Sequence, residues 1–499
     1  MARREWIALV GGESLLWAPA PAVPVCRDDA SPRRLPAERR LGGRSLLRFK
    51  HWPHKNAPRD VTARQAEVRR APAWHPEDEA ALRFPGGDGG QGFAGVQECL
   101  TGVVTLPVSV VPLHCEIGRY HLDEHGRVVE DGREAIAALV PLAQTEGGLA
   151  ASVLRGAKAT RAGGIRTYVL ADGITRASCF QFADTGAAVR FSGWIEARLA
   201  AMQQWLTDPH NPLAGAVSAS GVSLLSRHAV LRAVRTHVLG RSCHVLFRFT
   251  TGDACGPNMI TRNVHALNHQ FIQPRLVAET GIVVTRVLLE ANMGGDKKPS
   301  YLYFQEGHGK TVIAEATLEH GTLRRHLHCS AADVVALQEI GLHGSHASGM
   351  QSAAFTPASA IAALFAATGQ DLGMVGTSSM AHGSAELTDH GLHTTIRLPG
   401  LEVGTIGGGT MLPHARAWLR LLGCDGPGSV YRFAQVVAAT TLCLEISAAA
   451  AMGSDGSANF YMAHLERGGL RLPRQAKGQD GTDAPRPPER VPGGVHLAR

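Results

Sequence analysis

Gly294-Gly295-Asp296-Lys297-Lys298-Pro299 puts two lysines between a pair of glycines and a proline. Glycines open a tight turn and the proline ends regular structure, so the lysines are predicted on a loop, where functional side chains concentrate. Upstream stands Thr251-Gly252-Asp253-Ala254-Cys255-Gly256-Pro257-Asn258-Met259. Downstream come Gly369-Gln370-Asp371 and Gly404-Thr405-Ile406-Gly407-Gly408-Gly409-Thr410. Between these motifs the apolar periodicity changes character. Residues 146–160 place Leu149, Val153 and Ala157 on one helical face, and residues 355–370 and 431–451 form further apolar helices. Residues 165–169 and 243–249 alternate as strands, 258–278 resume helical spacing, and 281–315 is a second strand-rich stretch. A compact strand–helix–strand segment, 178–288, thus interrupts a helix-rich one. The fold class is α+β, with a small domain inserted into a larger one.

The chain has 499 residues, 44% of them apolar and 19% charged, with a net charge of +7. Residues 1–70 hold 15 Lys and Arg against 7 Asp and Glu, so the remaining 429 residues carry −1. A neutral body offers no electrostatic footprint for nucleic acid. The basic, Pro/Arg/Gly-rich residues 1–96 are expected to be a largely disordered arm, and residues 470–499 a disordered tail. No segment is expected to span a membrane, since the apolar residues 433–453 carry Glu445 at their centre. Nine scattered cysteines without a Cys-x-x-Cys pair fit a reducing cytoplasm. No metal-ligand pattern and no G-x-G-x-x-G after a strand is present, which removes a Rossmann reading.

Taken in order, these motifs resemble the catalytic half of 3-hydroxy-3-methylglutaryl-CoA (HMG-CoA) reductases, over about residues 97–469. The resemblance implies four-electron, NADPH-dependent reduction of HMG-CoA to mevalonate with release of CoA. It also implies a large substrate domain (97–177 and 289–469) carrying an inserted ferredoxin-like NADP-binding domain (178–288). The active site would be completed across a homodimer or a dimer of dimers. Thr145-Glu146-Gly147-Gly148-Leu149 resembles the biosynthetic class I form; class II enzymes carry a Glu-Pro-Ser pattern there.

Reducing a thioester needs a cation at the carbonyl oxygen, an acid to give a proton, and a proton for the departing thiolate. By resemblance Lys297 is the first. Glu146 is the general acid, buried beside Lys297 and Asp371 with a raised pKa, and Asp371 holds the two in one buried network. His464, in Tyr461-Met462-Ala463-His464, protonates the thiolate. Arg176, in Asp172-Gly173-Ile174-Thr175-Arg176, together with Asn292 and Lys298, would bind substrate. Ser226 and Arg227 would grip the 2′-phosphate of NADP, and Asp253, Gly256 and Asn258 would lead into a helix start suited to a pyrophosphate.

The chain departs from the family in several places, among them Ser359, where many relatives have asparagine, and a longer loop at 453–457. A serine expected six residues before Asp296 is Glu290. The family's Glu-Asn-x-x-Gly followed by Pro-x-Gly-x-Ala-Gly-Pro is replaced by Glu98-Cys99-Leu100-Thr101-Gly102 and Pro107-Val108-Ser109-Val110-Val111-Pro112. Two alternatives therefore stand beside the main reading: an NADH-linked catabolic reductase, and a CoA-ester-binding homologue whose turnover is impaired through the altered 98–112 segment.

Overall fold

The computed structural model describes residues 53, 55–70, 74–84, 90–93, 95, 96, 98–219, 221–454, 457 and 459–464. The tail 470–499 and most of the expected N-terminal arm lie outside the described residues. Within that arm, Pro58–Arg69 forms helix α1. Its Arg64 is fully buried, and its guanidinium donates to the carbonyls of Leu100, Pro53 and Lys55 and to Asn56 Oδ1. A buried guanidinium with its donors satisfied is a structural pin, and it fixes the altered 98–102 segment against α1.

Strand β1 (Val108–Leu122) alternates as a half-buried strand should. Val111, Leu113, Cys115 and Ile117 point inward, and Pro112 and His114 outward. It pairs antiparallel with β2 (Val128–Ala143), from Val108 opposite Ala143 to Leu122 opposite Val128. Helix α2 (Leu149–Thr160) follows, and then β3 (Ile165–Gln181), a 17-residue strand that serves two cores. Its first half pairs with β7 (Gly309–Glu319), its second with β5 (Ser242–Thr250) and β6 (Arg286–Leu288).

Around the first half of β3 the strand order is β2-β1-β3-β7-β9-β8, with β8 at His382–Thr388 and β9 at Gly391–Leu401. The core helix Ser429–Gly453 packs here, with Val436, Val437, Leu442 and Ile446 all buried. This helix is long and apolar enough to cross a membrane, but the apolar stretch is 83% buried inside the protein. Glu445, at its centre, accepts the backbone N–H groups of Phe355 and Thr356 and the Thr356 hydroxyl. A helix apolar on all sides is what a fully enclosed core element requires.

The second half of β3 starts a β-α-β-β-α-β run. Helices α3 (Thr185–Glu196) and α4 (Leu199–Thr207) lead to the antiparallel pair β4 (Val230–Leu239) and β5. Helices α5 (Pro257–Ala266) and α6 (Gln273–Thr280), joined by a π-helical stretch at Leu267–Ile272, lead to β6. The strand order β4-β5-β3-β6 is that of a ferredoxin-like unit. It encloses a separate core of Phe180, Phe182, Phe191, Phe247, Phe249, Ile260 and Phe271. The strand-rich stretch expected at 281–315 is mostly something else: β6 has three residues, and a loop and the short helix Tyr301–Glu306 separate it from β7.

Candidate active site

The lysine loop lies between β6 and the helix Tyr301–Glu306. Lys297 has φ +64°, a left-handed conformation that costs a non-glycine residue about 1 kcal/mol or more and tends to collect at functional sites. Its Nζ stands 2.8 Å from Asp371 Oδ2. The hydrogen bond to Asp371 raises the Lys297 pKa against partial desolvation, so it stays cationic. Two features aim Asp371. Its other oxygen accepts the Gly373 N–H at 2.9 Å. The turn that carries it, at Gly369 (φ +69°), abuts the backbone of Gly409 so closely that neither position has room for a Cβ. The Gly-rich motif at 404–410 therefore serves to seat the Asp371 turn.

The pairing of Lys297 with Asp371 agrees with expectation; its burial does not. The two side chains are 49% and 48% exposed. Glu146 is exposed as well, at the turn ahead of α2, where Gln144 bonds its backbone N–H and carbonyl. The structure gives no direct contact of Glu146 with Lys297 or Asp371 among the described residues.

Arg176, 8% exposed, lies behind the loop. Its Nη1 is 2.9 Å from Glu290 Oε2 and its Nη2 is 2.7 Å from Asp296 Oδ2, while its Nε is buried without a partner. Lys298 Nζ donates to Asn292 Oδ1 at 2.6 Å. Glu290 Oε1 accepts the Asn292 N–H at 2.7 Å and so closes the turn that displays that asparagine, itself at φ +69°.

Below the loop lies a polar cluster absent from the sequence reading. His308 is fully buried, with Nε2 3.4 Å from Asp296 Oδ1 and 3.5 Å from Glu402 Oε2, and Nδ1 2.9 Å from Thr175 Oγ1. Burial pushes the imidazole pKa down, but Glu402 and Asp296 outweigh it and lift it to about 9. Asp296 is held below the ordinary carboxylate range: burial works upward, and His308 and Arg176 prevail. Lys310 is also buried, 3.3 Å from Asp172 Oδ1, and Asp172 Oδ2 accepts the Tyr431 hydroxyl at 2.9 Å. The available cue was Glu306-Gly307-His308-Gly309-Lys310, where glycines flank a histidine and a lysine just before an apolar strand.

On the inserted unit, a cavity of about 1010 Å³ is lined by Ser226, Arg227, His228, Arg232, Met259 and Arg262 among others. Asn263 of α5 clamps the Ser226 turn, accepting its N–H at 2.8 Å and donating to its carbonyl at 2.9 Å. This leaves Arg227 and His228 exposed at the cavity wall. The Arg262 Nε is buried there without a partner. Three guanidiniums around one cavity suit a ligand bearing phosphates. Helix α5 starts at Gly256 (φ +97°) with no side-chain cap, and Asn258 is exposed in its first turn. The Asp253 carboxylate accepts the N–H groups of Gly428 and Val430, which caps the core helix.

His464 is exposed and lies within the described helical residues 459–464. Its Nδ1 is 2.8 Å from the Phe460 carbonyl and its ring packs tilted against that of Phe460, centroids 4.3 Å apart. The structure thus brings together Lys297 with Asp371, Lys298 with Asn292, and Ser226 with Arg227; His464 keeps contacts of its own.

A family model for hydroxymethylglutaryl-coenzyme A reductase matches residues 64–468. The chain belongs to the HMG-CoA reductase family. The match begins well before residue 97, consistent with the ordered α1. An HMG-CoA reductase of Aeropyrum pernix is 34% identical over 340 residues, covering 67% of this chain and 76% of that protein. One from Aspergillus terreus is 37% identical over 360 residues, covering 70% of this chain and 32% of that protein. The chain therefore spans about a third of the fungal relative. Among solved structures, the class II HMG-CoA reductase of Streptococcus pneumoniae bound to NADPH has a TM-score of 0.53 at 16% identity, covering 80% of this chain and 98% of that one. At that identity the likeness concerns the fold.

Proposed function

We propose that the chain is an NADPH-dependent HMG-CoA reductase that takes HMG-CoA to mevalonate with release of CoA, in isoprenoid biosynthesis. The observation that carries the reading is the Lys297 ammonium, raised into a left-handed backbone position on an exposed loop and aimed by Asp371. A fixed cation at the carbonyl oxygen stabilises the negative charge that develops there, and this is commonly the largest catalytic contribution. Lys298 and Asn292 steady the acyl end. Glu146 gives the proton at the oxygen, and its exposure in the single chain fits a site closed by a second copy, a homodimer or a dimer of dimers. His464 protonates the leaving thiolate.

NADPH supplies hydride when bound. Arg227, with Ser226 beside it, would hold the 2′-phosphate in the guanidinium-lined cavity, and Gly256 and Asn258 would receive the pyrophosphate at the start of α5. We assign class I on the Thr-Glu-Gly-Gly-Leu sequence at 145–149. The substrate domain would comprise 97–177 with 289–469, and the cofactor domain 178–288. We place the enzyme in the cytoplasm because the eight described cysteines are all unbridged.

The test follows NADPH and NADH oxidation with HMG-CoA alongside CoA thiol release. The reading expects two NADPH consumed per CoA released and slower oxidation of NADH. Absence of oxidation with either nucleotide while HMG-CoA still binds would leave only a CoA-ester-binding protein.

A further inference from the structure

Asn263, 1% exposed, holds both ends of a two-residue display on the inserted unit. It accepts the Ser226 N–H at 2.8 Å and donates to the Ser226 carbonyl at 2.9 Å and to the Ala229 carbonyl at 3.2 Å. One buried amide thus fixes the backbone before and after Arg227-His228, and both of these side chains are exposed on the wall of the guanidinium-lined cavity. Neither side chain has a hydrogen-bond or ion-pair partner among the described residues. The other two guanidiniums of the cavity are engaged by protein oxygens. Arg232 donates to Thr250 Oγ1 at 3.1 Å and to the Glu124 carbonyl at 3.0 Å, and Arg262 to the Ser223 carbonyl at 2.5 Å. The donors this turn leaves for a ligand are Arg227 and His228.

The charge around the cavity calls for both. Arg227 and Arg232, with Arg262 of α5, stand against Asp208 after α4 and Glu124 of the β1–β2 turn, three positive groups to two negative ones. One positive charge is left. A phosphate monoester loses its second proton at about pH 6, so it brings close to two negative charges at neutral pH. His228 is the neighbour of Arg227 that can supply the second positive charge, since an imidazole gains its proton between about pH 5 and 8. We propose that His228 is a specificity-determining residue: protonated, it grips the 2′-phosphate of NADP together with Arg227, and the preference for NADP over NAD therefore falls as the pH rises. This rests on the nucleotide-site reading above. The sign follows from linkage. A ligand that binds the protonated ring better than the neutral one takes up a proton on binding, and it loses affinity as the ring deprotonates. NAD carries a 2′-hydroxyl in that place and gains little from the charge.

The experiment is titration calorimetry of NADP+ and NAD+ on the full chain, without HMG-CoA, at pH 6.5 and pH 8.5, with NAD+ read by displacement of NADP+. The proteins are the parent, His228→Asn and His228→Lys, each checked for an unchanged melting temperature. The parent's NADP+ to NAD+ affinity ratio should fall about tenfold between the two pH values, on the scale of a charged hydrogen bond. In His228→Asn the ratio should already be low at pH 6.5 and should change less than about threefold. His228→Lys, a fixed cation, should keep a high ratio at both pH values. Titrations at pH 7.5 in two buffers of different ionisation enthalpy should show more proton uptake with NADP+ in the parent than in either variant. Should one variant lose its melting temperature, the other and the parent's own pH dependence decide. A parent ratio well above one but constant with pH overturns the inference and leaves Arg227 as the sole reader of the phosphate. Equal weakening of NADP+ and NAD+ in His228→Asn overturns it too, because the ring would then contact a part the two nucleotides share. A parent ratio near one at both pH values, or no binding of NADP+, refutes the assignment of the cavity to the 2′-phosphate and the role of His228 with it.

Discussion

Raising the pH from 6 to 9.5 should remove a defined share of stability through His308. The fully buried imidazole lies between Asp296 and Glu402, and its pKa is lifted to about 9, whereas an unfolded histidine titrates near 6.5. A folded pKa above the unfolded one means that the native state holds the proton more tightly. The contribution is therefore complete below pH 6.5, declines between 6.5 and 9, and is gone above that. A difference of about 2.5 in pKa corresponds to roughly 3 kcal/mol. The assay is urea unfolding of the parent and of His308→Gln at pH 6 and pH 9.5. The comparison between the two proteins cancels groups that titrate in both. The stability gap should shrink by roughly 3 kcal/mol across this range. A gap that stays constant with pH would show that His308 is neutral in the folded protein and would refute the charge-coupled cluster under the lysine loop.

Arg227→Ala should weaken NADPH while sparing NADH, narrowing the preference by about 10–100-fold in kcat/KM ratios; equal weakening of both would assign Arg227 to the fold. His464→Gln should depress HMG-CoA reduction by about 10²–10⁴ yet largely retain NADPH-dependent reduction of free mevaldehyde, which releases no thiolate. If both half-reactions fall together, His464 is structural.

The roles of the candidate site residues came from the family resemblance, and local sequence supplied only their placement on turns. Lys297 and Lys298 lie between Gly295 and Pro299, and Asp371 follows the glycine that ends an apolar helix, so turn chemistry marks both. The core helix and β5 were readable from apolar density and alternation. The strand β1 was not, because Pro107 and Pro112 and the stretch Val108-Ser109-Val110-Val111 obscure an alternation that becomes regular only from Val111. His308 and Lys310 were missed for a different reason. Their meaning lies in partners far away in the chain, Glu402 and Asp172, and nothing local records such a pairing. The burial expected of Lys297, Asp371 and Glu146 is not found, since all three are exposed in the single chain.

The most direct test of the account is HMG-CoA-dependent NADPH oxidation by Lys297→Ala beside the parent protein. Loss of one donor to the developing oxyanion should lower kcat by on the order of 10²–10³, about 2.7–4 kcal/mol, with HMG-CoA affinity changing much less. A kcat within a factor of about three of the parent would contradict the account, because the loop lysine could not then be stabilising the charge on the thioester oxygen.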